Sequence, residues 1–480
     1  MAAPYLHEIA YPRPKERIFK SSWSKTPLKR PALRQIILPY CKGYCDIASV
    51  HGVGYLNDPK RQHFERAIWS LLLVTATISC IYVYTDLGDL YSSQRLQTIV
   101  EDSLAPIFTI KFPAIGICPR NRINWLKLLE AHQLFLPANT STETVQTFRQ
   151  FFGVLSDFRF DNFDELKPLT TLQMNLSLLD NVDIKEVMQF VSFTCDELFE
   201  QPCFWRRQEY DCCHLFSLER TEYGFCFVFN SLINEKERER RRTDRYYPYH
   251  NSKSGEGSGL DVRVNLDKSK QNPNVSSKSG IYVMVKHPDQ WHSEPRFISA
   301  GTYTKVPVRA QFTSSDKRTR TVSPEVRKCL FKDENALYKD LPELKYRRGN
   351  CLTRCHQEYV FKLCKCNLNL FFPQDPSENI TICKAKDFKC LYEYRDLFKS
   401  DNLQAESEYI ENSSNSSMVC NCLNSCQQLI FHTNYNSYPT NGKSDAHTLS
   451  QINLDVYYSS KYIMIYRTQL RYTFVELLGK

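Results

Sequence analysis

The strongest hydrophobic stretch of the chain is Ala67 to Thr85, which contains no charged residue and lies between Arg66 and Asp86. Its 19 residues fall within the roughly 17–25 that a helix needs to cross a bilayer core. A buried helix of a soluble protein is the alternative. Such helices usually keep a polar face, however, whereas this segment has only scattered Ser and Thr. The pattern therefore predicts a transmembrane helix over residues 67–85.

Apolar and polar residues alternate directly after this helix. The alternation predicts a strand over residues 108–112 with Phe108, Ile110 and Phe112 on one buried face. Pro113 indicates an edge or a bend at its end. The further patterns predict, in chain order, a helix over 124–135, short helices and loops over 139–200, an aromatic strand over 221–230, an exposed loop over 235–258, strands over 259–312, a helix that Ser323-Pro324-Glu325 opens, and a partly alternating run over 449–466.

Charge sets the expected orientation of the membrane helix. Residues 1–66 carry 12 Lys and Arg against 5 Asp and Glu, whereas the whole chain has a net charge of +9. Most of the positive excess therefore precedes the helix, which places the N-terminus in the cytoplasm and residue 86 onward outside. Residues 1–30 lack the apolar core of a cleavable signal peptide, so the helix is expected to act as an uncleaved signal-anchor. The basic tail has no dense Lys/Arg run, and we expect no nucleic-acid partner.

Cysteine usage agrees with this orientation. Of 19 cysteines, Cys41 and Cys45 precede the helix, Cys80 lies in it, and 16 follow it. An even, dense set in an oxidising compartment predicts up to eight disulfides. Adjacent Cys212 and Cys213 are poorly placed to bond each other. If oxidised locally, they pair with Cys195 and Cys203 in one of two connectivities, which the sequence leaves open. Six N-glycosylation acceptors are expected on the same side, at Asn139, Asn175, Asn274, Asn379, Asn412 and Asn415.

A compact, Gly-containing segment precedes the membrane helix. Cys41, Cys45 and His51 have the elements of a metal site, but without a second Cys pair two reduced thiols are the favoured interpretation, and no metal is predicted. The segment is also suited to re-enter the membrane edge, where irregular backbone must be packed in protein or line a watery path. The chain has no phosphate-binding loop, Gly-x-Ser-x-Gly or His-Glu-x-x-His. We therefore predict no enzyme activity and no cofactor.

Several motifs in order resemble the degenerin/epithelial sodium channel (amiloride-sensitive sodium channel) family, and within it the insect pickpocket branch. The resemblance spans about Cys45 to Gly479. It rests on His51-Gly52, Phe112-Pro113-Ala114-Ile115, Cys118-Pro119, Gly224-Phe225-Cys226-Phe227-Val228-Phe229-Asn230, Arg327-Lys328-Cys329-Leu330-Phe331 with Glu334, and the ten cysteines from 329 to 426.

The resemblance implies an α+β membrane protein of the plasma membrane, in contact with lipid. One N-terminal helix would carry a large disulfide-rich extracellular domain with a β-rich palm and helical thumb, finger and knuckle regions. The implied function is that of a sodium-selective cation channel subunit in a homo- or heterotrimer, with His51 and Gly52 in its gating motif. The implied disulfides are Cys118–Cys226, Cys329–Cys426, Cys351–Cys422, Cys355–Cys420, Cys364–Cys390 and Cys366–Cys383.

The expected organisation is a cytoplasmic segment over 1–66, the helix over 67–85, an extracellular domain over 86–471 and the start of a second membrane helix over 472–480. The family's Gly-x-Ser filter does not appear in residues 472–480, the stretch that resembles the start of the second membrane helix. Three interpretations stay open: a channel subunit whose second helix is missing from this sequence, a non-conducting single-pass subunit that suppresses full subunits, and a cell-surface binding ectodomain. Neither the stimulus (ligand, proton or force) nor the partner subunits follow from the sequence.

Overall fold

A computed structural model of the protein describes residues 33–93, 95–172, 174–273, 278–334, 337, 344–375, 380–399, 401–402, 417–440 and 450–471. The chain divides into two compact units, Met1–Ser93 and Gln94–Lys480. The predicted start of a second membrane helix over 472–480 and most of the N-terminal arm lie outside the described residues.

The first unit contains helix α1 (Leu33–Ile47), a 3-10 turn (Gly54–Leu56) and helix α2 (His63–Ser93). Within α2, His63–Asp89 is long and apolar enough to cross a membrane. Its large side chains are exposed, with Leu71 at 65% and Ile78 at 60% of their full area. The predicted segment 67–85 lies inside this helix, which continues beyond it at both ends. An exposed, uniformly apolar surface of this kind needs a lipid or protein covering.

The second unit contains the strands of the fold. They are β1 (Leu96–Pro106), β2 (Ala114–Pro119), β3 (Phe199–Trp205), β4 (Gln208–Tyr210), β5 (Phe216–Thr221), β6 (Gly224–Phe229), β7 (Leu260–Asn265), β8 (Gly280–Lys286), β9 (Arg296–Ser299), β10 (Thr302–Ser315), β11 (Cys329–Leu330), β12 (Asp401–Asn402), β13 (Met418–Val419), β14 (Asn424–Ser425), β15 (Gln427–Thr433), β16 (Asn436–Pro439), β17 (Gln451–Tyr458) and β18 (Tyr462–Leu470).

A nine-stranded sheet in the order β1-β18-β10-β17-β7-β3-β4, with β15 and β16 also paired to β10, faces a five-stranded sheet in the order β5-β6-β2-β8-β9. Apolar residues of the two sheets share one core, in which Phe112, Phe229, Val262 and Val456 are fully or nearly fully buried. On β7 the predicted alternation is confirmed, because Leu260, Val262 and Val264 are buried and the residues between them are not. Period-two patterning thus describes β7, whereas β2 and β6 of the smaller sheet are buried along their whole length.

Helices form the other half. They are α3 (Trp125–Phe135), α4 (Thr142–Val154), α5 (Lys167–Thr171), α6 (Ile184–Val191), α7 (Cys195–Leu198), α8 (Cys212–Leu215), α9 (Glu235–Thr243), α10 (Pro324–Arg327), α11 (Arg348–Cys364), α12 (Phe388–Glu393) and α13 (Arg395–Phe398). They share a second core rich in phenylalanine, with Phe148, Phe151, Phe158 and Phe388 fully buried. The rings of Phe151 and Phe388 meet edge-on at 5.3 Å, a preferred aromatic geometry.

The strand predicted over residues 108–112 is wrong. Ile107–Thr109 forms a 3-10 turn, and Phe108 is 56% exposed whereas Ile107 is buried. The backbone N–H of Phe112 donates to the carbonyl of Tyr249 in a loop instead of to a strand. Pro106 and Pro113, which cannot donate to a ladder, bracket this stretch. Only Phe112 of the three alternating residues is fully buried.

The exposed loop predicted over 235–258 is also wrong in part, because Glu235–Thr243 is helical. The side chain of Asn234 caps its N-terminus and three arginines occupy its last turn, where they complement the helix dipole. Glu, Lys and Arg are good helix formers, so composition already contained the signal.

The predicted aromatic strand over 221–230 begins later than expected. Gly224, with φ +80°, closes a hairpin in which β5 and β6 pair from Thr221 and Gly224 onward. A Cβ at Gly224 would lie 3.1 Å from the Arg122 side chain. The turn therefore requires glycine for its backbone and for its packing.

Candidate functional site

Gly52 lies in the segment between α1 and α2, residues 48–62, which we call the His-Gly loop. Its φ is +91°, a conformation that residues with a Cβ rarely adopt. A Cβ at this position would lie 3.0 Å from Cε3 of Trp69 and 3.6 Å from Cδ2 of Leu73. Backbone conformation and packing against α2 therefore each require glycine here.

His51 is exposed, and its ring meets Tyr55 at 5.9 Å and Trp69 at 6.0 Å edge-on. Tyr55 and Trp69 lie 4.8 Å apart, and the guanidinium carbon of Arg61 lies 4.7 Å from the Tyr55 ring centre. The aromatic residues of the His-Gly loop thus pack on one indole of α2. Trp69 has no sequence signal beyond its place in the apolar helix, and sequence reasoning missed it.

Polar side chains fasten the His-Gly loop to both neighbouring helices. The amide of Asn57 donates to Asp46 of α1 at 2.8 Å, and Arg66 of α2 donates to the carbonyl of Asp58 at 2.7 Å. A displacement of the loop is therefore coupled to α2. Within the part of the chain that the structure describes, Cys41, Cys45 and Cys80 form no disulfide, and no three potential ligands are placed to hold a metal ion.

Five disulfides of the second unit form a nested series, which we call the disulfide ladder. Their sequence separations fall from 97 through 71, 65 and 26 to 17 residues. Helix α11 carries one half of three successive bridges. The ladder consists of Cys329–Cys426, Cys351–Cys422, Cys355–Cys420, Cys364–Cys390 and Cys366–Cys383, the same five pairs that the resemblance implies.

Three further disulfides lie outside the ladder. Cys118–Cys226 joins the neighbouring strands β2 and β6, as the resemblance implies. For the four cysteines that sequence left with two connectivities, the structure has Cys195–Cys213 and Cys203–Cys212.

A family model described as the amiloride-sensitive sodium channel matches residues 44–480 of this chain. The chain belongs to this family. Pickpocket protein 19 of Drosophila melanogaster is 31% identical to it over 99% of this chain and 91% of that protein. Sodium channel protein Nach of Drosophila ananassae is 25% identical over 72% of this chain and 65% of its own length. The gamma subunit of the epithelial sodium channel of Xenopus laevis is 22% identical over 48% of this chain and 31% of that subunit.

These matches confirm the resemblance to pickpocket-like members of the degenerin/epithelial sodium channel family. The family consists of ion channels, not enzymes, whose subunits form oligomers with related subunits. The chain is thus a sodium channel subunit in general terms. The observed architecture, one apolar helix near the N-terminus and a large disulfide-rich domain containing β-sheets, is consistent with this assignment.

Two of the six expected glycosylation acceptors fall on described residues. Asn139 and Asn175 are both exposed, as a glycan would require. The others, Asn274, Asn379, Asn412 and Asn415, lie outside the described residues.

A buried ionisable cluster was not found from the sequence. Glu222 accepts hydrogen bonds from Thr353 at 2.6 Å and pairs with Nδ1 of His356 at 2.9 Å. Burial opposes the charge on Glu222, but His356, His292 and Thr353 outweigh it and lower the pKa of this carboxyl. Burial lowers the pKa of His292. This cluster joins the β5–β6 turn to helix α11, which is more than a hundred residues away in sequence. No local pattern therefore indicates it.

Asp455 on β17 lies opposite Asp261 on β7 and is 1% exposed. It accepts a hydrogen bond from the Gly257 N–H at 2.8 Å. Burial raises the pKa of Asp455, and the nearby charges of Asp261 and Glu256 raise it further. The Gly257 hydrogen bond and Lys305 lower it, and the resulting pKa is about 6. The folded chain therefore holds this proton more tightly than the unfolded chain does. The resulting stabilisation is complete below about pH 4 and is lost as the pH rises through 6.

We therefore expect Asp455→Asn to stabilise the protein at neutral pH. The amide keeps the acceptor for Gly257 but has no charge to bury, so the melting temperature at pH 7.5 should rise by roughly 2 °C. The gain should shrink as the pH falls through 6 and vanish near pH 4. Melting curves of purified wild type and variant over this range measure it, and a gain that does not change with pH would contradict this assignment.

Cys351→Ser and Cys422→Ser are expected to destabilise the protein equally, each by about 2 kcal/mol, and the double variant by no more than either single one. The cost is at the low end for a disulfide because neighbouring bridges of the ladder still restrict the same segments. Thermal unfolding of the three variants tests the coupling. Additive losses would show that the two thiols act independently.

Proposed function

We propose that this chain is a subunit of a sodium-selective cation channel that opens in response to a ligand, protons or mechanical force. The family match over residues 44–480 carries the proposal. The exposed apolar surface of α2 supports a membrane location, because such a surface is stable in lipid and costly in water.

The proposed location is the plasma membrane, with the N-terminus in the cytoplasm and the second unit outside. Two observations support this direction: the excess of Lys and Arg before α2, and the eight disulfides, which all lie after it and persist in an oxidising compartment.

We further propose that the subunit assembles into a homo- or heterotrimer with related subunits.

Strands β1 and β18 of the second unit pair antiparallel, so that the N–H of Arg471 donates to the carbonyl of Arg95 at 2.9 Å. The first and last strands of the second unit therefore lie side by side. This arrangement is required if the chain leaves the membrane before β1 and returns to the same membrane after β18. This supports a second membrane segment that begins near residue 472.

Gating is assigned to the His-Gly loop and the disulfide ladder. In this proposal the nine-stranded sheet belongs to the palm, and α11 with the disulfide ladder forms a stiff thumb that passes an extracellular change toward the pore. The His-Gly loop then sets the position of α2 from the cytoplasmic side, through the contacts of Gly52 with Trp69.

Expression of the native transcript in oocytes, alone and together with related subunits, tests the function. We expect an inward current that disappears when external sodium is replaced by N-methyl-D-glucamine. A surface-expressed chain that lowers the current of a related subunit would instead favour a suppressing subunit. A chain that neither co-purifies with related subunits nor alters their current would favour a binding ectodomain.

A further inference from the structure

A large cavity in the second unit has no part in the gating proposal. Its volume is about 1280 Å³, and it lies among α3, α4 and α5. Ligand cavities usually measure about 300–1,000 Å³, so this one has room for a drug-sized molecule. The side chains that line it fall into an apolar group and a charged group.

The apolar group centres on Trp125 at the start of α3. Gly153 near the end of α4 lies beside this half-buried ring, because a Cβ at the glycine would be in ordinary van der Waals contact with Cζ3 of Trp125, at 3.5 Å. Val145, Val154 and Leu172 extend this surface, and Leu172 is 60% exposed. Such a surface favours an aromatic or alkyl body.

Two arginines of the lining lack an anionic partner. Arg149 donates to the carbonyl of Leu129 at 3.3 Å, but its buried Nε has no partner and no carboxylate among the described residues pairs with it. The Arg120 guanidinium lies 5.6 Å from the Phe297 ring centre, and its buried Nε likewise has no partner in the described part of the chain. Partly buried guanidinium groups without an anionic partner favour the binding of an anion. A carboxylate suits them best, because it accepts two parallel hydrogen bonds from their N–H groups.

The acidic residues of the lining do not neutralise these arginines. Glu165 accepts from the side-chain amide of Asn162 at 2.9 Å. Asp157 is 6% exposed, and its Oδ1 has no hydrogen-bond partner in the described residues. It offers an acceptor for one hydroxyl or amide N–H of a ligand.

We propose that this cavity binds a small organic carboxylate with an apolar body, which packs on Trp125 while its carboxylate accepts hydrogen bonds from Arg149 or Arg120. An amine of the same shape would bring a second positive charge to these arginines. A neutral molecule such as an alcohol offers their N–H groups only an uncharged acceptor, and such hydrogen bonds are about half as strong as those to a carboxylate. The site therefore selects by charge.

A series of three soluble probes with one ring system separates charge from shape. The probes are naphthalene-2-acetate, 2-(2-naphthyl)ethanol and 2-(2-naphthyl)ethylamine, titrated by calorimetry into the purified full chain in lipid nanodiscs. We expect the carboxylate to bind at least tenfold more tightly than the alcohol and the amine, the ratio that one charge-assisted hydrogen bond provides.

Arg149→Gln and Arg120→Gln identify the groups responsible. At least one of them should lower the affinity for naphthalene-2-acetate at least tenfold and leave the affinity for the alcohol unchanged. Arg309 is an exposed arginine of β10 outside the cavity, and Arg309→Gln should change neither affinity. The melting temperature without probe shows whether each variant is folded. If one variant does not fold, the other still tests the proposal. Equal binding of the three probes, no binding, or unchanged carboxylate affinity in both variants would overturn the proposal. Binding is measured without current, so this result is independent of the channel function.

Discussion

Replacing Gly52 with serine is expected to lower the sodium current at least tenfold without lowering the amount of protein at the cell surface. The left-handed backbone conformation and the 3.0 Å approach to Trp69 both resist a Cβ. Strain of this kind costs on the order of 1–3 kcal/mol. A shift of about 1.4 kcal/mol between closed and open states changes their ratio tenfold. We expect the loop to relieve this strain by moving away from α2, which weakens the coupling that the gating proposal assigns to these contacts.

Gly54→Ser is the matched control, two residues further along the same loop. Gly54 has no positive φ, and a Cβ there would meet only the carbonyl of Cys45, at an ordinary 3.6 Å. Whole-cell current divided by surface-biotinylated protein should stay near wild type for Gly54→Ser and fall for Gly52→Ser. Equal currents in the two variants would remove the His-Gly loop from the gating proposal.

Lys286→Met is expected to cause the largest loss of stability, about 3–5 kcal/mol. Lys286 and Glu219 are fully buried, with Nζ of the lysine 3.5 Å from the glutamate and 3.0 Å from the carbonyl of Trp291. Burial lowers the pKa of Lys286 and raises that of Glu219, and their mutual attraction opposes both shifts. Removing the lysine leaves a buried carboxyl without its cation.

The double variant Lys286→Met with Glu219→Leu should recover most of this loss, since replacing both members of a buried pair by apolar groups is often nearly neutral. The control is Lys305→Met, which breaks a 2.7 Å pair with the half-exposed Glu256. A pair at the surface contributes at most about 1 kcal/mol. Melting temperatures of the purified chains should thus fall by several degrees only for Lys286→Met. A fall of the same size in the double variant would show that the pair is not the cause.

Local patterns in the sequence predicted those parts of the fold whose side chains alternate against one core. Strand β7, in which Leu260, Val262 and Val264 are buried, is of this kind. Residues 108–112 have the same alternation but lie between two prolines and form no strand: the N–H of Ile110 bonds within the turn, and the N–H of Phe112 donates to Tyr249 of a distant loop. A pattern of side chains does not reveal where backbone partners come from.

The residues of the candidate site likewise fall into those that the sequence indicates and those that only the structure reveals. His51 and Gly52 are recognisable as a motif, and the resemblance supplied the pairs of the disulfide ladder. Trp69, which makes glycine necessary at position 52, and the Glu222–His356 pair depend on contacts between residues far apart in the chain. Such contacts follow from tertiary packing, which the composition and spacing of short segments do not encode.

The reversal potential of the current in cells that express the native transcript with related subunits tests the central claim most directly. For a sodium-selective channel it should shift by about 59 mV toward negative values for each tenfold reduction of external sodium, the Nernst slope of a monovalent ion. A reversal potential that does not follow sodium, or no sodium-dependent current in any subunit combination, would contradict the assignment of this chain to a sodium-conducting channel.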